Sequence, residues 1–173
     1  RILVITVDNG ITKKEEVAYL QSKGVEVIIT DHHAPKAGHT PECLVVDPWL
    51  NDLDDINAKG LCGTAVAYKI AGRVLEMYGD NAFIMNYLPN VAIATITDMM
   101  PATPENIGLV GYGLWLIDNG CANEGIKHYI SYKNLKEITV KDIAFEIGPQ
   151  INACGRMGNI HKATDFMFGN GDV

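Results

Sequence analysis

Two short apolar runs, "ILVITV" at residues 2–7 and "VEVIIT" at 25–30, bracket one amphipathic segment and constrain this chain more than anything else in it. Each run is rich in β-branched residues and bounded by turn-formers, the pattern of a buried strand. Between them, Asp8-Asn9-Gly10 reads as a turn and Thr12 as a helix N-cap, with Glu15 three residues on to complete a capping box. Val17, Leu20 and the stem of Lys23 then share one helix face, and Gly24 is placed to end it. Strand, helix, strand in thirty residues is a βαβ unit, which makes the two strands parallel. Leu44–Val46 reads as a third, short strand.

After about residue 60 the period changes. "LCGTAVAYKIAGRVLEMYG" (61–79) spaces Val66, Ile70, Val74 and Met77 as a helix does. Further helices are expected over Asn81–Ile96, Asn106–Ile117, Asn123–Ser131, from Thr139 to the residue before Pro149, and Lys162–Phe168. The expected class is therefore α/β: a partial parallel sheet with a βαβ unit over residues 1–60, then a mostly helical part over 61–173. A length of 173 residues suits one domain. The bare start at Arg1, directly into a strand, reads as a partial domain with an upstream segment missing, and the end "FMFGNGDV", without a clear terminal element, as one with sequence missing there too.

The formal charge of −7 argues against a generic nucleic-acid-coating protein, which would carry a basic face. It leaves room for a polyanion substrate, because bound divalent cations reverse the local field. The four cysteines are scattered without a C-x-x-C pair, so reduced thiols in a cytoplasm are the simplest reading. No apolar run is long enough to cross a membrane, and no secretion signal opens the chain.

In an open parallel sheet, ligands bind at the carboxyl ends of the strands. Asp8 follows the first strand and Asp31-His32-His33 the second, close enough for both tips to share an ion. Carboxylate and imidazole suit Mn²⁺ and similar divalent metals. "VAIATITDMMP" (91–101) delivers a further acid, Asp98, before a proline stop. Taken singly, Asp-Asn-Gly is ordinary turn chemistry, a histidine pair can be a surface turn, and Asp98 can be a plain helix-terminal acid. Their combination points to a metal site. A second cluster, "GPQINACGRMG" (148–158), is expected as a glycine-rich loop between helices. Its backbone N–H groups with Asn152, Gly155 and Arg156 would suit a phosphate, and a plain helix–helix connection is the alternative.

The segments "VDNG", "TDHH", "LCGTAVAYKI", "ATITDMMPATPEN" and "GPQINACGRM" stand in the order seen in the DHH phosphoesterases, and the last resembles the signature of their RecJ branch, single-strand-specific 5′→3′ DNA exonucleases. The resemblance runs from residue 5 to residue 158. It implies two divalent cations in a cleft at the sheet's carboxyl edge, Mn²⁺ foremost and Mg²⁺ as the alternative. By motif, Asp8 is similar to the carboxylate that bridges both metals, His32 to a histidine ligand, and Asp98 to a further acid on that metal. His33 resembles the residue beside the scissile phosphate, with Asp31 orienting the histidines. The 148–158 segment resembles the clamp on the phosphate backbone, through Asn152, Gly155 and Arg156.

The family's Asp-rich first motif is absent from these 173 residues, so the polypeptide by itself is expected to be inactive. The resemblance implies single-stranded DNA as partner, no membrane, release of 5′-mononucleotides, and a place in DNA repair and recombination. Two alternatives share the motifs: a DHH phosphodiesterase for short oligonucleotides or cyclic dinucleotides, and a non-catalytic DHH scaffold.

Overall fold

The computed structural model describes residues 1–50, 59–79 and 83–169. Its strands are β1 (Ile2–Val7), β2 (Val25–Thr30) and β3 (Leu44–Val46), at the bounds expected from the sequence. They form one parallel sheet in the order β1-β2-β3, with Val7 opposite Thr30 and Thr30 opposite Val46. That register brings the carboxyl ends of all three strands level. Helix α1 (Lys14–Ser22) connects β1 to β2, as a βαβ unit requires. The chain is thus α/β, as expected.

Helix α1 starts later than its sequence signature. Lys13, not Thr12, is the N-cap, and it makes no side-chain cap hydrogen bond. A turn closed by Lys13 N–H on the Gly10 carbonyl (2.9 Å) takes up the residues in between. The other end behaves as predicted: Gly24 has φ +76° and its N–H reaches the Gln21 carbonyl at 2.9 Å.

Among the described residues the remaining helices are α2 (Gly63–Met77), α3 (Leu88–Thr97), α4 (Pro104–Asp118), α5 (Glu124–Lys133), α6 (Val140–Asp142), α7 (Gly148–Arg156) and α8 (Ile160–Phe168). A 3₁₀ turn over Phe83–Tyr87 precedes α3, so the expected 81–96 helix is in part this turn, and its first two residues lie outside the described residues. Among the described residues no helix is long and apolar enough to cross a membrane.

Contacts divide the chain into two compact units, Arg1–Asn81 with Pro101–Asn106, and Ala82–Met100 with Ile107–Val173. In the first, Val17 of α1 packs on Val27 and Ile29 of β2, with Leu20, Val25, Cys43 and Val45 around them. The opposite sheet face carries Leu3, Ile5 and Val7 of β1 and Leu44 and Val46 of β3, all exposed. In the second unit, Ile93, Ile117, Ile126, Tyr129, Ile138, Ile143 and Ile147 form the core.

The helix expected to end before Pro149 does not end there. Thr139 caps it as predicted, its hydroxyl accepting from Asp142 N–H at 3.3 Å while the Asp142 carboxylate accepts from Thr139 N–H at 2.9 Å. The chain then takes a π-helical turn over Ile143–Ile147 and continues as α7. Pro149 sits in the first turn of α7, directly after the π-helical turn. Gly148 lies against α3: a Cβ there would fall 2.8 Å from Thr97 Oγ1.

Candidate metal centre

The parallel register places Asp8 one residue past β1 and Asp31 one residue past β2. Asp8 has left-handed backbone (φ 63°), unusual outside glycine and tolerated best by Asn and Asp. Its N–H donates to the Thr30 carbonyl at 3.0 Å, so the strand pairing holds it in that conformation. Thr6 Oγ1 on the Asn9 carbonyl (2.7 Å) and Asn9 Nδ2 on the Val7 carbonyl (3.0 Å) close the turn.

Asp31 is 1% exposed and organises the second tip. One carboxylate oxygen accepts from Ile11 N–H at 3.0 Å. The other accepts from His32 N–H (2.8 Å), His33 N–H (3.3 Å) and the His33 ring Nδ1 (2.7 Å). Burial by itself would push the Asp31 carboxyl up. The Ile11 N–H, the His33 ring and the two following backbone donors outweigh it and hold the carboxyl below its ordinary value. Asp31 is therefore an anionic anchor for both histidines.

The two rings are polarised the same way. His32 Nδ1 lies 3.0 Å from the Leu61 carbonyl, which can only accept, so Nδ1 carries the hydrogen. His33 Nδ1 likewise donates to Asp31. In the neutral rings both Nε2 atoms are then the lone-pair atoms, which is what a metal ligand needs. His32 Nε2 lies 3.0 Å from Asp8 Oδ1. Two acceptors at that separation call for a positive charge between them, a proton or a metal cation. Asp8, His32 and His33 each offer one ligand atom, and those atoms all lie within 4.8 Å of one another. The donor set thus fits a divalent cation on this chain's own geometry. The His32 side chain is buried at 9% exposure and that of His33 is open at 61%.

Sequence reasoning passed over three contributors. Asp47, one residue past β3, is 7% exposed, and its Oδ2 has no hydrogen-bond partner among the described residues. Burial pushes its carboxyl up, against the Trp49 N–H. The strand-end rule that singled out Asp8 and Asp31 applies equally to Asp47. Trp49 Nε1 donates to the His32 carbonyl at 3.0 Å, and Trp49 N–H to Asp47 Oδ1 at 2.9 Å. Leu61 supplies only a backbone carbonyl, which no side-chain pattern could reveal.

Asp98 belongs to the second unit. It is the exposed C-cap of α3, and Met99 after it has φ 53°. Met99 N–H to the Ile96 carbonyl and Met100 N–H to the Thr95 carbonyl, both 3.1 Å, form a Schellman turn, a place where glycine is usual. Met99→Gly is expected to stabilise the chain by about 0.5–1 kcal/mol, the left-handed strain relieved less glycine's entropy, measured by denaturant unfolding.

The 148–158 stretch is not a loop. Residues 148–156 are helix α7, and the left-handed Gly158 stops it, with Gly158 N–H on the Gly155 carbonyl and Asn159 N–H on that of Cys154. Past the first turn, helix N–H groups are spent inside the helix, so the Gly155 amide cannot cradle a phosphate. Asn152, Gly155 and Arg156 nevertheless share one exposed helix face at i, i+3 and i+4.

The model of the DHH family, N-terminal domain, matches residues 1–97. The chain belongs to the DHH family. The single-stranded-DNA-specific exonuclease RecJ of Haemophilus influenzae is 32% identical over 97% of this chain, and the match covers 31% of that protein. A crystal structure of exonuclease RecJ bound to manganese superposes with TM-score 0.84 at 33% identity, over 97% of this chain and 42% of that one. RecJ of Thermus thermophilus in complex with Mn²⁺ gives TM-score 0.82 at 33% identity, over 96% of this chain and 24% of that one. The chain therefore spans well under half the length of these DHH relatives.

Proposed function

We propose that this chain is the metal-binding part of a RecJ-type exonuclease that hydrolyses single-stranded DNA from its 5′ end to mononucleotides, in DNA recombination and repair. The observation that carries the reading is the grouping of one ligand atom each from Asp8, His32 and His33 at the carboxyl edge of a parallel sheet, with His32 Nε2, left as the lone-pair atom by its own Nδ1 hydrogen bond, 3.0 Å from Asp8 Oδ1.

In this reading Asp8 and His32 hold divalent cations, Mn²⁺ in preference, and Asp98 has, by its motif, the part of a further metal-binding acid. Such cations activate water and stabilise a leaving oxygen. Asp31 fixes the tautomer of His33, and the Leu61 carbonyl that of His32. The open ring of His33 stands where a scissile phosphate would meet it and, when protonated, bears charge on a non-bridging oxygen. On α7, Asn152 and Arg156 reach the DNA backbone, and Gly155 between them leaves the helix surface low enough for a phosphodiester to approach.

The test uses the full-length protein, 5′-labelled single strands and Mn²⁺. Release of labelled mononucleotide, abolished by chelation, is the expected result. Attack only from the 3′ end would overturn the 5′→3′ reading, and turnover of dinucleotides with long strands untouched would replace it with the short-oligonucleotide phosphodiesterase. Absence of Mn²⁺ binding would favour the scaffold. Arg156→Ala is expected to weaken single-strand binding about tenfold, one charge-assisted contact's worth, with Mn²⁺ affinity unchanged. Unaltered strand affinity by fluorescence anisotropy would remove α7 from the interface.

A further inference from the structure

In the segment Leu61-Cys62-Gly63, which opens "LCGTAVAYKI", only the Leu61 carbonyl has a part in the reading above, yet all three residues are buried. The segment's ends touch His32 and Asp8, whose ligand atoms lie 3.0 Å apart. The Leu61 carbonyl receives His32 Nδ1. Gly63, the first residue of α2, lies directly against the side chain of Asp8. A Cβ at position 63 would stand 2.5 Å from both Cβ and Cγ of Asp8, and nearer still to its Oδ1. Real Cβ atoms essentially never come within 3.0 Å of another heavy atom in this way.

Asp8 has little room to yield. Its left-handed backbone is tied by its N–H to Thr30, and two residues on Gly10 (φ +115°) is itself packed so closely that a Cβ would meet Thr6 Oγ1 at 3.0 Å. Rotation of the carboxylate alone would not relieve a side chain at 63, because the Asp8 Cβ is itself 2.5 Å away; the Asp8 backbone or the start of α2 would have to shift, and either shift carries the carboxylate off its present seat, 3.0 Å from His32 Nε2. The glycine is not there for helix geometry. At Gly108 and Gly111, inside α4, an added Cβ would meet nothing within 4 Å, whereas at Gly63 it would meet a carboxylate.

We infer that Gly63 is a positioning residue for the metal centre: its missing side chain is the space that lets the Asp8 carboxylate close on His32 Nε2. The inference rests on the proposal that Asp8 and His32 bind the cation. It assigns the 61–63 segment one task at each end, the Leu61 carbonyl selecting the His32 tautomer and Gly63 setting the reach of Asp8.

A double-mutant cycle in the full-length protein tests it. Mn²⁺ affinity is measured by titration calorimetry, and Tm in EDTA, for the parent, G63A, D8G and D8G/G63A, with G108A as a helix-interior control. G63A is expected to lower Mn²⁺ affinity at least tenfold and to lower Tm in the absence of metal. In the D8G background, where the obstructed side chain is gone, the same substitution should leave Tm unchanged. A helix that simply disfavoured alanine at 63 would show the same loss in both backgrounds. Parent-like Mn²⁺ affinity in G63A, or an undiminished Tm loss on adding G63A to D8G, overturns the inference. If G63A does not fold, recovery of folding in D8G/G63A supports the inference and continued failure overturns it. D8G that loses Mn²⁺ while G63A keeps it sinks the inference alone. D8G that binds Mn²⁺ like the parent sinks the metal reading, and this inference with it.

Discussion

Asp8→Ala is expected to lower Mn²⁺ affinity by more than about 100-fold, beyond the 10–100-fold typical when only an outer-shell partner is lost. The Asp8 carboxylate is the anionic member of the cluster, and its Oδ1 is the atom that faces His32 Nε2. Without it the cluster of Asp8, His32 and His33 keeps only its imidazoles and loses its carboxylate. The side chain is 54% exposed, and the cost to the fold is the strain of alanine in left-handed backbone, about 1 kcal/mol, so Tm in EDTA should fall by only a few degrees, which separates loss of the ion from loss of the fold. His33→Ala serves as the contrast. It removes the open ring, 61% exposed, while leaving Asp8 and His32 in place, so turnover should fall much further than Mn²⁺ affinity. Titration calorimetry with a parallel nuclease assay reads both quantities. Equal loss of metal in the two variants would make His33 a ligand of the same rank as Asp8.

The second large effect belongs to Asp31. Asp31→Asn is expected to destabilise the chain by about 3 kcal/mol, the scale of charge-assisted hydrogen bonds lost in a buried place. The amide keeps one acceptor oxygen and turns two N–H donors toward a site lined by donors: Ile11 N–H, two backbone N–H groups and the His33 ring. For a chain of this size that corresponds to roughly 10 °C in Tm. The pH dependence has a definite sign. Asp31's carboxyl in the folded chain lies below its ordinary value of 3.8. Its contribution is fully present above that value and is lost as pH falls through the lower folded one. The parent should therefore lose stability on acidification through and below about pH 4, and the asparagine variant should lack that component. Chemical unfolding at pH 7 and pH 3 measures it. An unchanged difference between parent and variant across that interval would contradict an anionic Asp31.

The substitution should also loosen the histidines. With the carboxylate gone, His33 Nδ1 has a poorer acceptor, and its ring can exchange tautomers and present the hydrogen-bearing nitrogen to the site. Loss of metal affinity in Asp31→Asn would thus come through orientation, with Asp8 still in place.

Much of the first unit is legible in the residues because its signals are local. β1, β2 and β3 appear at their predicted bounds since short β-branched runs ended by Asp or by turn-formers have few alternatives. Gly24 ends α1 and Thr139 caps α6 for the same reason, as their hydrogen bonds lie within a few residues. Thr12 is a weaker signal, overruled by the turn that binds Lys13 to Gly10. At residues 148–158 composition misleads. Three glycines and a proline read as a loop, but Pro149 falls in a first turn, the π-helical turn before it absorbs the register, and Gly148 is needed for contact with Thr97. Asp47 is hard to single out because β3 is only three residues long, and its burial follows from packing that sequence does not display.

The order of the motifs, the parallel βαβ start and the chemical identity of the ligands come from the residues by themselves, because each depends on spacing along the chain or on side-chain type. Which nitrogen of each imidazole carries the hydrogen, how far Asp8 can lean and why position 63 has no side chain come from the tertiary structure. Those properties depend on atoms brought together from distant parts of the chain: the Leu61 carbonyl against His32, Ile11 N–H against the Asp31 carboxylate, and the helix start at Gly63 against Asp8. Only the folded backbone sets those distances to within the few tenths of an ångström that metal coordination and steric overlap demand.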